Sequence, residues 1–190
     1  MEINKLLINL QSRPDRLKSF KERNGNDFTL IDGVINKQPF IGIAESHMNA
    51  IRHAKEKGWK KVLIMEDDCL FSSGAKDYMD TIFNHDYHPQ DWDVLLGGVY
   101  HLKGSVDVNK HWQRIGEFCA LHWYIVNERC YDKLLSFDGT NHYDRWVGTQ
   151  GLRIFLPKKF FVIQQDGYSD NVQRVTDYNN TYLNKFEILK

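Results

Sequence analysis

The chain has 190 residues, 42% of them hydrophobic, which supports one substantial buried core and gives no reason to expect two. Lysine plus arginine equals aspartate plus glutamate at 25 each, so no net field draws in a nucleic-acid backbone or an anionic membrane from a distance. Nucleic acid is therefore disfavoured as a partner.

The elements follow in chain order. "LLINL" (6–10) is a short apolar run of the kind buried on both faces of a parallel sheet. Pro14 stands where a helix would open, and "PDRLKSFKER" continues it. "FTLID" is a second strand, closed by Gly33. From Ile43, the positions Ala44, His47, Ala50, Ile51 and Ala54 recur at helical spacing, and Gly58 marks the end. "KVLIM" is the next strand, "AKDYMDTIFNH" a helix and "WDVLLGG" a strand. Beyond residue 105 the alternation loosens: "HWQRIGEFCALHWYIVN" reads as extended segments, "ERCYDKLLSF" as a helix, and "RIFLP" and "KFFVIQQ" as short strands. This order predicts an α/β fold with a mostly parallel central sheet flanked by helices, in one domain spanning 1–190.

Other features mainly exclude. Cys69, Cys119 and Cys130 are odd in number and lack paired short spacing, which argues against a disulfide framework and a structural zinc site and for a reducing, cytoplasmic setting. "MEINKLLINLQSRPDR" does not have the form of a signal peptide, and no stretch reaches the length of a transmembrane segment. "NNT" at 179–181 matches a glycosylation acceptor and reads as accidental without an export signal. Arg52, Lys55, Lys57, Lys60 and Lys61 form a local basic group that reads as a solvated helix end, where the dipole favours cations.

Three clusters carry chemistry. Glu66, Asp67 and Asp68 follow a buried strand directly, and ligands of α/β folds collect at that end of the sheet. Adjacent carboxylates repel, so such a triplet is kept where solvent or a cation screens it; a solvated turn is the plainer reading, and the place after a buried strand favours the cation. Glu66 and Asp68, at alternate positions, would face the same way and share Mg²⁺ or Mn²⁺, whose remaining ligands are commonly waters and phosphate oxygens. Asn9, Arg13 and Arg16 follow the first strand; if Pro14 opens a helix, its free N–H groups and two guanidinium forks suit a phosphate. Ser46 and His47 lie near the start of the helix that feeds the acidic strand, with His47 on its inward face.

"LLINLQSRPDR", "GIAESHMNAI" and "KVLIMEDDCLF" resemble, in order and spacing, glycosyltransferase family 25, the lipooligosaccharide and collagen galactosyltransferase group. "WDVLLGG", "YIVNERCYDKLL", "YDRWV" and "LPKKFFVIQQDGYSD" resemble its later blocks. The resemblance implies a GT-A type fold, with a nucleotide-sugar-binding half at 1–100 and an acceptor-binding half at 101–190. It implies transfer of a sugar from a nucleotide-sugar donor, a UDP-sugar foremost, to a hydroxyl of a glycan, protein or lipid acceptor, with inversion. The acidic triplet would be the DXD-like motif, with Asp68 and Glu66 on Mn²⁺ or Mg²⁺; Asn9, Leu10, Arg13, Arg16, Ser46, His47 and Asp67 would line the nucleotide pocket. Inversion calls for a base near the attacking hydroxyl. Asp144 in "NHYDRWVG", at a helix start that favours its ionised form, is the first candidate and Asp93 the second. The chain departs from the pattern in its shortness and in His122 and Trp123 of "CALHWYIVN", where small residues are more usual. Trp92, Trp112, Trp123, Trp146 and Tyr124 are either sugar platforms or core. The competing readings are a nucleotidyltransferase or phosphohydrolase, and a module that binds a nucleotide or carbohydrate without turnover.

Overall fold

The computed structural model describes residues 3–84, 86–170, 173–178, 180 and 186–189. Its centre is an eight-stranded sheet whose strands are β1 (Asn4–Asn9), β2 (Thr29–Asp32), β3 (Lys61–Glu66), β5 (Val94–Leu96), β6 (His101–Asp107), β7 (Trp112–Cys119), β8 (Trp123–Asn127) and β9 (Ile154–Pro157). They lie in the order β2-β1-β3-β8-β5-β9-β7-β6. β2, β1 and β3 are parallel; β8 runs against β3 and β5; β9 is parallel to β5; β7 runs against β9, and β6 against β7. Six of the eight strands therefore point one way, with β7 and β8 reversed, so the expected mixed α/β fold with a mostly parallel sheet is the one observed.

Side-chain alternation explains why the inner strands read as unbroken apolar runs. Leu6 and Ile8, Val62 and Ile64, Val94 and Leu96, Tyr124 and Val126 face one core. Leu7, Leu63 and Met65, Leu95, Trp123 and Ile125 face the other. Helices cover both faces, so the positions within these strands are buried and only their ends meet water. The first face packs against α2 (Pro39–Glu56), α4 (Tyr131–Leu135) and α5 (Tyr143–Thr149). The second packs against α1 (Pro14–Asn24) and α3 (Ala75–Ile82), through Phe20, Ala75 and Ile82. The tryptophans raised as sugar platforms are buried, as is Tyr124.

Some boundaries differ from expectation. α2 begins at Pro39, four residues before the apolar periodicity starts, with the proline at its first position. A Cβ at Gly42 would stand 2.5 Å from the carbonyl oxygen of Val34, so the glycine lets the loop after β2 cross the first turn of α2. "ERCYDKLLSF" resolves into a 3₁₀ turn (Glu128–Cys130) followed by the short α4. "KFFVIQQ" splits at Phe161 into β10 (Lys159–Phe160), which pairs with β14 (Glu187–Ile188), and β11 (Val162–Gln164), which runs antiparallel to β4 (Cys69–Phe71) just past the acidic triplet. This bend is packed tightly: a Cβ at Gly98 would lie 2.3 Å from the Val162 carbonyl. The remaining hairpin pairs β12 (Gly167–Ser169) with β13 (Arg174–Thr176).

The basic group does sit around the carboxyl end of α2, where Lys55 pairs with Asp132 and Lys60 with Glu128 at 2.9 Å. The three cysteines are buried and unbridged. No helix among the described residues is long and apolar enough to cross a membrane. Of the 179–181 tripeptide, Asn179 and Thr181 lie outside the described residues.

Candidate functional site

A cavity of about 380 Å³ opens at the carboxyl ends of β1, β2 and β3. Parallel pairing sets its floor. Ile8 of β1 is in register with Glu66 of β3, so the next residues, Asn9 at the end of β1 and Asp67 just past β3, emerge side by side. The Asn9 amide donates to Asp67 Oδ2 at 2.5 Å and to the carbonyl of Arg13 at 3.1 Å. Arg16, on the first turns of α1, reaches Asp67 at 3.2 Å and Asp68 at 3.0 Å. Gln164 of β11 donates to both Glu66 Oε2, at 3.3 Å, and Asp68 Oδ2, at 3.1 Å. Glu66 and Asp68 do converge from alternate positions, and a glutamine brought by the β4–β11 pairing holds them together.

The charge in this cluster is only partly answered. Burial raises the pKa of Asp68, the neighbouring Glu66 carboxylate raises it further, and Arg16 and Gln164 do not offset them: it stands at about 7. Asp67 is raised by burial as well, against Arg16 and Asn9. For Glu66 burial pushes upward too, yet the hydrogen bond and charge of His47 hold it below the ordinary range. Two buried oxygens in the cluster, Asp68 Oδ1 and Gln164 Oε1, have no hydrogen-bond partner among the described residues. Unpaired buried acceptors are rare and commonly mark a missing ion or water.

The other walls come from three places. The loop after β2 supplies Gly33, Val34, Ile35 and Asn36, and the head of α2 supplies Pro39, Phe40 and Ile43. Ser46 ties these two together, accepting from the Val34 N–H at 2.8 Å and donating to the Gly42 carbonyl at 2.7 Å. Opposite stand Ala120 and Leu121, between β7 and β8, and His142, Tyr143 and Asp144 at the start of α5. Asp144 accepts from the backbone N–H of Ala120 at 2.8 Å through Oδ2 and from that of Arg145 at 2.8 Å through Oδ1. Ala120 has φ of 101°, a strained conformation for a residue with a side chain, and the carboxylate secures it.

Asn9, Leu10, Arg16, Ser46, His47, Glu66, Asp67, Asp68 and Asp144 are thus gathered around one cavity. Arg13 is held to one side, pairing with Asp15 at 3.1 Å and with Asp170 at 2.7 Å, in a smaller adjoining pocket of about 210 Å³ that it shares with Arg16 and Asp67. Asp93 is not brought here. It precedes β5 at that strand's amino end, where it accepts from Arg129 Nε at 2.6 Å and from the backbone N–H of Arg153 at 2.7 Å. Its expected role as second candidate base is corrected to a structural one, because the polarity of the strand carries it away from the triplet. Asp93→Asn is expected to lower stability by about 1–3 kcal/mol, as loss of a buried charge network does, while the folded protein binds its ligands unchanged; melting curves beside a binding isotherm check this.

His122 and Trp123 lie in the core behind the triplet. The His122 carbonyl accepts from the Glu66 N–H at 2.8 Å and from Cys69 Sγ at 2.7 Å. Gln164, Ala120, Phe40 and Asp170 were not assigned roles from the sequence. Each reaches the site through the fold rather than through a local pattern: Gln164 and Asp170 lie inside the "LPKKFFVIQQDGYSD" block and Ala120 inside "CALHWYIVN", where nothing local marks them.

No family model matches the sequence, and no curated protein matches it. Among solved structures, the crystal structure of A197 from STIV superposes with a TM-score of 0.54 at 11% identity, over 100% of this chain and 97% of that one. That likeness over the whole length establishes a shared fold. Looser likenesses include the inositol-1-phosphate CTP transferase from T. maritima, with a TM-score of 0.47 and 15% identity over 81% of this chain and 66% of that one. Another is a Drosophila beta-1,4-galactosyltransferase 7 mutant in complex with manganese, UDP-Gal and xylobiose, at 0.42 and 10% over 97% and 76%. Solved structures that resemble the chain thus include both nucleotidyltransferases and glycosyltransferases.

Proposed function

We propose that the chain is a metal-dependent glycosyltransferase that moves a sugar from a nucleotide-sugar, a UDP-sugar foremost, to a hydroxyl acceptor with inversion. The observation that carries this reading is the pair of unpaired buried oxygens, Asp68 Oδ1 and Gln164 Oε1, at the wall of a cavity shared with Arg16 and faced by Asp144. An all-oxygen donor set suits Mg²⁺ or Mn²⁺. Among the described residues no group of three or more His, Cys, Asp or Glu side chains is arranged to hold a metal, so a cation here would depend on substrate phosphate for further ligands. Asp68 would hold it, with Gln164 beside it. Glu66, expected to share the ion, has both oxygens engaged by His47 and Gln164.

When bound, the cation supplies charge neutralisation on the leaving diphosphate. The chain's own residues do the rest. Arg16 offers a guanidinium to the same diphosphate while keeping Asp67 and Asp68 in place. The mostly apolar recess of Leu10, Val34, Ile35, Phe40 and Ile43 would take the base and ribose. Asp144, on the opposite wall, would take the proton of the attacking hydroxyl. In this arrangement residues 1–100 would furnish most of the donor side, joined by Gln164, and the rest of 101–190 the acceptor side.

The test is incubation with UDP-, GDP- and dTDP-sugars and Mn²⁺, with products resolved by mass spectrometry. Release of a nucleoside diphosphate, abolished by EDTA, is expected. Nucleoside triphosphate and sugar 1-phosphate, formed when pyrophosphate is added in place of an acceptor, would mark a nucleotidyltransferase, and binding without turnover on any acceptor would mark a binding module; either overturns the proposal.

A further inference from the structure

His47 was expected to touch the nucleotide. The structure gives its ring another occupation. It is 2% exposed, with Nε2 3.0 Å from Glu66 Oε1 and Nδ1 3.0 Å from the hydroxyl of Tyr124, itself 1% exposed on β8. A carboxylate only accepts, so Nε2–H donates to Glu66, while the Tyr124 hydroxyl, which can donate or accept, meets Nδ1. The face of the imidazole is covered by Tyr143, nearly parallel at 5.8 Å, and Tyr143 is backed in turn by Trp146 at 5.9 Å. Tyr143 immediately precedes Asp144. One side chain on α2 therefore touches both walls of the cavity, the acidic floor by its edge and the start of α5 by its face.

We propose that His47, oriented by Tyr124, is a positioning residue that pins Glu66 beside Asp68 and thereby sets how tightly the site holds a divalent cation together with a nucleoside diphosphate. The inference rests on the glycosyltransferase reading above. Its physical content is a competition for donors. With His47 in place, Glu66 has one oxygen fixed and shares only the Gln164 amide with Asp68. Without it, Glu66 loses its stronger partner and is free to draw Gln164, or Arg16, away from Asp68. The oxygen that Asp68 presents is then no longer held in one place. Partners of this kind, one step removed from a ligand, are commonly worth about 10- to 100-fold in metal affinity.

Three variants test it. Tyr124→Phe keeps the volume and removes only the hydroxyl; His47→Leu removes both hydrogen bonds; His47→Gln keeps a donor for Glu66. The readout is Mn²⁺ retention by electron paramagnetic resonance in the presence of UDP, GDP, CDP or dTDP, whichever the unmodified protein retains, with melting temperature followed in parallel. His47→Leu is expected to weaken retention by about 10- to 100-fold, Tyr124→Phe by about 3- to 10-fold, and His47→Gln to recover most of the loss. In turnover, KM for the donor should rise more than kcat falls. A histidine that serves only the core would lower the melting temperature and leave retention by the folded protein unchanged; that result in Tyr124→Phe and His47→Leu overturns the inference and leaves the function standing. If His47→Leu does not fold, unchanged retention in Tyr124→Phe overturns it alone. If the unmodified protein retains Mn²⁺ with none of the four nucleotides, the functional reading fails and this inference with it.

Discussion

Replacing Asp68 by asparagine is expected to abolish metal-dependent turnover, by at least about 100-fold, while raising the melting temperature of the ligand-free protein at pH 8. Both effects have one origin. The pKa of Asp68 is about 7 in the folded chain against an ordinary 3.8, first because it is buried and next because Glu66 lies beside it. The folded state therefore binds this proton more tightly than the unfolded state does. The resulting stabilisation is whole below pH 4 and is lost as the pH climbs toward 7, so at pH 8 the ligand-free protein carries a charge it holds at a disadvantage. Asparagine cannot ionise, and its amide oxygen can still accept from Arg16 or Gln164. The variant should match the parent near pH 4 and exceed it by about 1–3 kcal/mol at pH 8, a shift of several degrees. A bound cation reverses the ordering, since it stabilises only a protein that has the carboxylate. Differential scanning fluorimetry from pH 4 to 8, with and without Mn²⁺ and UDP, reads all of this. Turnover at the parent's rate, or identical melting curves across the pH range, would remove Asp68 from the role assigned to it.

How far the sequence reveals the molecule depends on whether a feature is local. β1, β3, β5 and β8 were legible because both faces of each are covered, which forces uninterrupted apolar runs. β6 was not: it is an edge strand, exposed along most of its length, and "HLKGSVD" shows no alternation to betray it. The start of α2 was read late because Pro39 to Gly42 is fixed by the loop crossing it, a contact that periodicity does not encode.

The same distinction runs through the site. The triplet announced itself because it follows an apolar strand, and the register of β1 with β3 brought Asn9 and Arg16 to it as expected. Asp93 misled because it too adjoins a buried strand, yet it precedes the apolar run instead of following it. In a parallel sheet that difference in polarity separates a structural acid from one at the binding edge. Gln164 was invisible because a glutamine after a short strand has no signature; only the antiparallel pairing of β11 with β4 gives it two carboxylates to bridge. His47 was correctly placed on an inward face, but its partner Tyr124 is 77 residues away and on another layer, so its hydrogen bonds could not be read from the helix alone.

Asp144 supports the second large effect, and its contacts allow a base to be told from a brace. One oxygen holds the N–H of Ala120 in a backbone conformation with φ of 101°, and the other accepts the N–H of Arg145. An amide oxygen can keep the first of these bonds, so Asp144→Asn preserves the strained turn while removing the ability to accept a proton. Asp144→Ala removes both. If Asp144 is the base, the asparagine variant loses about 10²- to 10⁴-fold in kcat with donor KM and melting temperature little changed, and alanine is no better. If it only braces Ala120, asparagine behaves like the parent, whereas alanine loses stability and activity together, and Ala120→Gly, which relieves the strain at that position, partly restores the alanine variant. The base reading also predicts that hydrolysis or exchange of the donor that does not need an acceptor hydroxyl to be deprotonated falls far less in Asp144→Asn than transfer does. Measuring the two rates on one preparation separates loss of the proton acceptor from loss of the site. The asparagine variant is the one that decides, because Asp144 lies on the cavity wall away from the acidic floor, with each oxygen accepting one backbone N–H and the Arg145 charge acting on it.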